Sequence, residues 1–147
     1  DLHSFPTRRS SDLFEQALYE GLMTTYLNRI YSDGTHPIIR LHHRFISRSH
    51  RWLILELLSF LLYELLRSTE FYDVSLNLVG KISKRVLSCL YSLARPEVNI
   101  IHCDLKPEKV LLRHFQRSAI KVVDFGSSCR ASETMYIYVQ SRFYRAP

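Results

Sequence analysis

Residues 100–112 read Ile-Ile-His-Cys-Asp-Leu-Lys-Pro-Glu-Lys-Val-Leu-Leu, and this stretch decides the fold. It places Asp104 and Lys106 two residues apart in a polar loop between two apolar segments. An aspartate can accept the proton of a hydroxyl group, and a nearby lysine can balance the charge of a phosphate. An isolated Asp-x-Lys is usually a solvated turn, so the surrounding pattern is what favours phosphate chemistry.

A second stretch, Ile-Lys-Val-Val-Asp-Phe-Gly at residues 120–126, ends an apolar strand in a lone aspartate, Asp124. Asp124 follows Asp104 by 20 residues, and a carboxylate placed there can hold magnesium. In this order and spacing, the two stretches resemble the catalytic loop and the magnesium-binding loop of eukaryotic protein kinases.

The composition of the chain is that of an ordinary globular domain. Of its 147 residues, 46% are hydrophobic and 23% are charged, which is enough for one domain with a core.

The net charge is +6, but the arginines and lysines are scattered, so no nucleic-acid partner is expected. Three cysteines without a CxxC pattern favour a reducing setting. The most apolar window, residues 52–66, contains two glutamates, which predicts a core segment and no membrane partner.

Residues 3–13 have neither a helical nor a strand period. They resemble the conceptual translation of a common sequencing-library adaptor, with a natural basic leader as the alternative. Residues 1–13 are therefore predicted to be a disordered, non-native leader outside the folded domain.

The rest of the sequence predicts a succession of helices and strands. Apolar residues at near-3.6 spacing predict an amphipathic helix over residues 14–31. Two apolar runs, residues 38–45 and 52–55, predict a hairpin whose second strand is buried on both faces. There follow a short helix (61–66), a long helix capped by Asp73 or Ser75 and ended by Pro96, and short strands at 110–112 and 119–123. From Ser127 onward an extended loop is expected.

This order of elements is similar to the middle of a protein kinase, and the resemblance implies a truncated α+β, protein-kinase-like fold. Residues 14–147 would be the partial kinase domain. Within it, residues 14–55 would be a remnant of the small lobe and residues 56–60 the hinge. Residues 61–147 would be the first part of the helical large lobe, through the activation segment.

Several segments narrow the resemblance within the kinases. The catalytic loop reads His-Cys-Asp, with cysteine where most kinases have arginine, and residues 126–129 read Gly-Ser-Ser-Cys. Residues 136–147 contain Tyr-x-Tyr followed by Gln-Ser-Arg-x-Tyr-Arg-Ala-Pro. Together these segments resemble the DYRK family, the dual-specificity tyrosine-regulated kinases of the CMGC group. That family resemblance implies ATP-dependent phosphorylation of proteins on serine and threonine, with autophosphorylation on tyrosine.

The resemblance also implies roles for the residues of the two loops. Asp104 would be the catalytic base, and Lys106 would steady the transferring phosphoryl group. Asp124 would bind the Mg²⁺ that bridges the phosphates of ATP. His102 is expected to be a structural residue packed near Phe125.

The same resemblance places a nucleotide site around the hinge. The backbone groups of Glu56 and Leu58 would face the adenine, below a gatekeeper position occupied by Leu55. Glu20 falls where the C-helix glutamate sits, but no lysine precedes Lys81 with which it could form the usual ion pair. The apolar floor would be lined by Leu111 and Val123.

Lys109 departs from the family pattern, which has asparagine as the second magnesium ligand at this position. An ammonium group has three donors and no acceptor, so it cannot bind a cation. It could instead contact a phosphate. Two explanations stay open for this residue, a pseudokinase or nucleotide-binding scaffold and a degraded or misread sequence.

Tyr138 matches the second activation-loop tyrosine and is the expected phosphorylation site, with Arg142 or Arg145 as partners for its phosphate. The expected partners are ATP and protein substrates, and the expected location is intracellular, in the cytoplasm or the nucleus. The truncated chain itself is expected to be inactive. A basic nucleic-acid-binding module is a third, weaker hypothesis, motivated by the net charge of +6.

Overall fold

The computed structural model describes residues 10–70, 72, 74–114, 117–133 and 139–145, with backbone alone at 10–13, 114, 117 and 118. The predicted α+β class is confirmed. The helices are α1 (Ser10–Ile30), α2 (Leu62–Ser68) and α3 (Leu76–Ala94). The strands are β1 (Leu41–Ser47), β2 (His50–Leu55), β3 (Ile100–Ile101), β4 (Val110–His114), β5 (Arg117–Val122) and β6 (Cys129–Arg130). Single 3₁₀ turns lie at Pro107–Lys109, Ala131–Glu133 and Arg142–Tyr144.

Helix α1 begins at Ser10, whereas the sequence predicted a start at Phe14. Residues 10–13 are therefore helical, which corrects the predicted boundary of the disordered leader. The sequence at the helix start is Ser-Ser-Asp, and these residue types favour helix N-termini because their side chains can accept hydrogen bonds from free backbone N–H groups.

The C-terminal half of α1 is tied to the rest of the fold by side-chain hydrogen bonds. Asn28 donates to the carbonyl of Ile39 (2.8 Å) and accepts from the N–H of Leu41 (2.8 Å), which fixes the chain as it enters β1. The hydroxyl of Tyr31 donates to the carbonyl of Ser92 on α3 (2.6 Å). These bonds place one end of α1 against both the hairpin and the long helix.

Strands β1 and β2 form the predicted antiparallel hairpin, with Phe45 opposite Trp52. The first strand begins at Leu41 rather than Ile38. Ile38 and Ile39 are instead buried beside β5, where Ile39 donates to the carbonyl of Val122 (3.0 Å). This parallel contact joins the entry to the hairpin with the β4–β5 sheet.

The prediction that the second hairpin strand is buried on both faces is wrong. Trp52 is 54% exposed, and Ile54 and Leu55 are also exposed. Leu53 points the other way and lies close to Gly21 of α1. In the described part of the chain the hairpin sheet has two strands, and α1 covers only the face that carries Leu53.

Helix α3 has the predicted limits. The hydroxyl of Ser75 accepts a hydrogen bond from the N–H of Leu78 (3.3 Å), so Ser75 is an N-cap, while Asp73 lies outside the described residues. The helix ends at Ala94, just before Pro96. Its buried face packs against β5 and contributes to a core formed with α1 and β4. The members of this face are Ile82, Cys89, Ser92 and Leu93.

Strands β4 and β5 form a second antiparallel sheet, with Val110 opposite Val122. Val110, Leu112, Ile120 and Val122 are all buried in the core. Strands β3 and β6 form a short third pair, with Ile101 opposite Cys129. The two loops that follow β3 and β5 are therefore held side by side.

Candidate active site

His102 connects the two loops that the sequence singled out. Its Nε2 is 3.1 Å from the carbonyl oxygen of Val123, and its ring centroid lies 5.0 Å from that of Phe125. The predicted packing of His102 near Phe125 is confirmed, and its structural role stays a prediction. Burial lowers the pKa of His102, which favours the neutral ring. The N–H of Asp104 donates to Nδ1 (3.3 Å), so Nε2 is the nitrogen that donates to the Val123 carbonyl.

Asp104 is held by two donors. Its Oδ2 pairs with the ammonium of Lys106 (2.9 Å), and its Oδ1 accepts a hydrogen bond from the hydroxyl of Ser141 (2.7 Å). Lys106 also donates to the Ser141 oxygen (2.7 Å), which closes a ring of three side chains. Burial acts to raise the pKa of Asp104, but the hydrogen bonds from Ser141 and Lys106 and the charge of Lys106 outweigh it and lower the pKa. Asp104 is therefore an ionised carboxylate.

Ser141 is a site residue that sequence reasoning missed. It belongs to the Gln-Ser-Arg-x-Tyr-Arg-Ala-Pro run, which the sequence analysis used only to narrow the family resemblance. The neighbouring Gln140 donates its N–H to the carbonyl of Cys103 (2.8 Å), and Arg145 donates to the carbonyls of Val139 and Gln140. These bonds hold the segment against the catalytic loop.

Asp124 forms an ion pair with the ammonium group of Lys109 through its Oδ2. The two residues meet because the carbonyl of Lys109 accepts a hydrogen bond from the N–H of Val123 (3.0 Å), the residue before Asp124. Lys109 was expected to be unable to bind a cation, and here its ammonium takes the oxygen that a cation would need. Its pKa is lowered chiefly by burial and then by Lys106, while nearby carboxylates oppose the shift.

The residues around Asp124 do not fit a magnesium ion in this arrangement. Mg²⁺ requires oxygen ligands at close range. One oxygen of the Asp124 carboxylate is already paired with the ammonium of Lys109, whose positive charge would repel Mg²⁺. In the described residues, no group of three or more His, Cys, Asp or Glu side chains could hold a metal ion. The predicted magnesium role of Asp124 stays a prediction, and the ion pair is an observation against it.

Glu20, on α1, is near enough to Lys109 for their charges to interact. Burial raises the pKa of Glu20, and the positive charge of Lys109 opposes that rise. Residue 126, a glycine next to Phe125, lies against Gln16, one helical turn before Glu20. Lys109 therefore acts on Glu20 through its charge and pairs with Asp124, and it is not the lysine with which the kinase resemblance would pair Glu20.

The predicted hinge residues connect the hairpin to β4. Glu56 donates its N–H to the carbonyl of Arg40 (2.9 Å), and its Oε1 lies 3.5 Å from the buried ammonium of Lys121. Leu58 packs against the core, whereas Leu57 is 96% exposed. Beyond them, Ser59 donates to the carbonyl of Leu112 (2.8 Å).

The two residues predicted to line the adenine floor are half-buried. Leu111 alternates on β4 with the buried Val110 and Leu112, so it faces away from the core. Val123 packs against the core cluster and bonds to both loops through its backbone. A separate cavity of about 290 Å³ lies between α1 and the hairpin, lined by Gly21, Leu22, Trp52 and Leu53 among others. None of the predicted nucleotide-binding residues lines that cavity.

Tyr138, the expected phosphorylation site, lies outside the described residues. Of its two expected arginine partners, Arg145 already donates to two backbone carbonyls.

Cys103 and Cys129 lie with their sulfur atoms 3.5 Å apart, where β3 and β6 pair. Burial and the neighbouring Cys129 raise the pKa of Cys103 to about 11.

Cys103, Asp124 and Gln140 all have positive φ angles, of 64°, 63° and 67°. A non-glycine residue in this left-handed region is strained, and such strain clusters at functional sites. The site thus combines an ionised aspartate, two lysines and a strained backbone.

The sequence of residues 12–147 matches the protein kinase domain family. The chain belongs to the protein kinase family. It is 47% identical over 140 residues to two curated relatives, each named "Dual specificity tyrosine-phosphorylation-regulated kinase mbk-2", from Caenorhabditis briggsae and Caenorhabditis elegans. The alignment covers 95% of the chain and 17% of each relative. These similarities confirm the resemblance to DYRK kinases that the catalytic loop and the Gly-Ser-Ser-Cys segment predicted.

Protein kinases have a catalytic aspartate in this loop. Family membership therefore makes Asp104, in the ring with Lys106 and Ser141, the candidate for that aspartate. Lys109 departs from the asparagine that the resemblance to kinases implies at this position. In the described residues, no helix is long and apolar enough to span a bilayer.

Proposed function

We propose that the site is of the kind that transfers the γ-phosphoryl group of ATP to serine and threonine hydroxyls of protein substrates, that Tyr138 is a site of tyrosine autophosphorylation, and that the ion pair of Lys109 and Asp124 keeps the 147-residue chain itself inactive. The observation that carries this proposal is the ring of Asp104, Lys106 and Ser141. The protein kinase family generally uses ATP and Mg²⁺. An intracellular location, in the cytoplasm or nucleus, belongs to the same proposal.

Asp104 has the properties that a base for a hydroxyl group needs. Each carboxylate oxygen can accept more than one hydrogen bond, so its bonds to Lys106 and Ser141 leave acceptor capacity for a substrate hydroxyl. Those two bonds fix the rotation of the carboxylate and keep it ionised. Positioning of this kind supplies much of the rate in phosphoryl transfer.

Lys106 would act on the phosphoryl group. Its ammonium has three donors, of which one goes to Asp104 and one to Ser141. Among the described residues its bonds are those two, and the third donor would bind an equatorial oxygen of the phosphoryl group, beside the hydroxyl that Asp104 orients. Asp104 and Lys106 are thus held next to each other, where one can accept the hydroxyl proton and the other can contact the phosphoryl group.

A second candidate function is that of a nucleotide-binding scaffold without phosphoryl transfer. The ion pair between Lys109 and Asp124 favours it, because this pair occupies the carboxylate that the family uses for metal. On this ground the 147-residue chain is proposed to have no measurable transferase activity of its own.

Phosphate transfer from radiolabelled ATP to a mixed Ser/Thr peptide library tests both candidates. We expect no transfer by the chain itself and measurable transfer by Lys109→Asn, which the double variant Lys109→Asn/Asp104→Asn abolishes. A folded Lys109→Asn variant that binds ATP without transferring phosphate would favour the scaffold. Robust transfer by the unaltered chain that disappears in Asp104→Ala would contradict the proposed inactivity.

A further inference from the structure

Backbone hydrogen bonds bring Lys109 and Asp124, the two residues of the ion pair, close together. The N–H of Lys109 donates to the carbonyl of Lys106 (2.8 Å), which closes the 3₁₀ turn, and its carbonyl accepts from the N–H of Val123 (3.0 Å). Because Val123 adjoins Asp124, these two bonds hold the backbone of Lys109 close to the backbone of Asp124. Their side chains are 21% and 32% exposed, so solvent screens the pair only in part.

The surroundings of the ammonium are acidic on several sides. The negative charges of Asp104, Glu20 and Glu108 act on Lys109, and Lys106 is the opposing cation. These carboxylates come from the catalytic loop, from α1 and from the 3₁₀ turn. These three carboxylates favour the positive charge of Lys109, whereas burial and Lys106 oppose it and lower its pKa.

We infer that the ammonium of Lys109 replaces a divalent cation at Asp124, so that this chain binds nucleotide phosphates without divalent metal. An ammonium group has three donors, and the one given to Asp124 leaves others to point at phosphate oxygens. A metal ion at Asp124 would be repelled by the positive charge of the paired Lys109 ammonium. The nucleotide part of this inference rests on the proposed function, whereas the metal part rests on the ion pair alone.

The metal part is tested by titrating the chain with Mn²⁺ and following free Mn²⁺ by electron paramagnetic resonance. We expect Lys109→Asn to bind Mn²⁺ at least about tenfold more tightly than the unaltered chain, because a like charge close to the cation is removed. The exposed Lys84 of α3 supplies the matched control, and Lys84→Asn should bind Mn²⁺ as weakly as the unaltered chain. Equal Mn²⁺ affinity of the unaltered chain and Lys109→Asn would overturn the inference.

A loss of folding in Lys109→Asn is detected by far-ultraviolet circular dichroism. Lys109→Met then serves as a second variant, since it also frees Asp124 and retains a long, unbranched side chain. It should gain Mn²⁺ affinity in the same direction. The unaltered chain is informative by itself, because a tight Mn²⁺ site that disappears in Asp124→Asn contradicts the inference without any change at Lys109.

The nucleotide part is tested with fluorescent N-methylanthraniloyl-ATP, in EDTA and in excess Mg²⁺. We expect the unaltered chain to bind the nucleotide in EDTA at least as tightly as in Mg²⁺, and Lys109→Asn to require Mg²⁺ for its tightest binding. Binding by the unaltered chain that depends on Mg²⁺ would overturn the inference. If neither protein binds nucleotide under either condition, the proposed nucleotide site fails as well, while the Mn²⁺ titration still decides the metal part.

Discussion

The buried Lys121 and the partly buried Glu56 form an ion pair in which Nζ lies 3.5 Å from Oε1, and this pair links β5 to the segment that follows the hairpin. The ammonium also donates to the carbonyls of His36 and Ile38, both at 3.0 Å. The same Glu56 oxygen accepts from the N–H of Arg40 (2.8 Å). Two parts of the chain that are far apart in sequence are therefore joined by one lysine.

Glu56→Ala should lower the free energy of unfolding by about 3 kcal/mol, because removal of one partner leaves a buried charge uncompensated. It also leaves the N–H of Arg40 without its acceptor. Urea unfolding followed by circular dichroism measures the change. The control is Glu15→Ala on the exposed face of α1, which should change the free energy by less than about 0.5 kcal/mol. Equal effects of the two substitutions would show that the pair does not stabilise the fold.

Ser141→Ala should raise the pKa of Asp104 toward the ordinary value for aspartate, because the variant removes a hydrogen bond that favours the charged form. Carbon-13 NMR of the Asp104 carboxyl group, followed as a function of pH, measures the pKa. Ser141→Thr keeps the hydroxyl and should retain the low pKa. An unchanged pKa in Ser141→Ala would mean that Lys106 alone holds the carboxylate.

The stability of the fold should fall as the pH drops below about 6.5, partly through His102. Burial lowers the pKa of His102 in the folded state, so the unfolded chain takes up the proton first. The stabilisation from the neutral ring is complete above the unfolded pKa and is lost as the pH falls toward the lower, folded pKa.

Urea unfolding at a series of pH values measures this dependence. His102→Gln should reduce its slope between pH 6.5 and the folded pKa, whereas His42→Gln, at an exposed position on β1, should leave the slope unchanged. A slope that is insensitive to His102→Gln would assign the acid sensitivity to other groups.

Cys103 and Cys129 should form a disulfide under mild oxidation, because their sulfur atoms are 3.5 Å apart and need move only a short way to reach bonding distance. The rate should rise steeply with pH, since the thiolate is the reacting species and burial raises the pKa of Cys103 to about 11. Mass spectrometry of tryptic peptides detects the cross-link. Cys89→Ser should not alter it, because Cys89 is fully buried on α3 with its pKa raised to about 12. A cross-link that instead includes Cys89 would contradict this geometry.

The sequence predicted best where local chemistry settles the structure. The limits of α3 follow from the cap at Ser75 and the stop at Pro96, and both act within a few residues of the helix end. The contact of His102 with Phe125 was predicted from the resemblance to protein kinases and did not follow from local chemistry. The hairpin was predicted from its apolar runs, although its first strand starts three residues later than expected, at Leu41.

The sequence predicted less well where the answer depends on distant parts of the chain. Four apolar residues in a row do not reveal how many layers cover a strand, so the burial of Trp52 was overestimated. Ser141 lies 37 residues beyond Asp104, and no local pattern states that its hydroxyl closes the ring with Lys106. The chemistry of Lys109 excluded a metal-ligand role, but only the fold shows that its ammonium takes an oxygen of Asp124.

The left-handed backbone at Cys103, Asp124 and Gln140 limits the amino acids that these positions can accept, independently of what their side chains do. Glycine, asparagine and aspartate tolerate this conformation, whereas β-branched residues are excluded from it. A scan of all substitutions scored by folding alone would therefore find a narrow set of tolerated residues here, even in a catalytically silent chain. Restricted variation at these three positions would reflect the backbone conformation that they require, and it should not be taken as evidence of selection for activity.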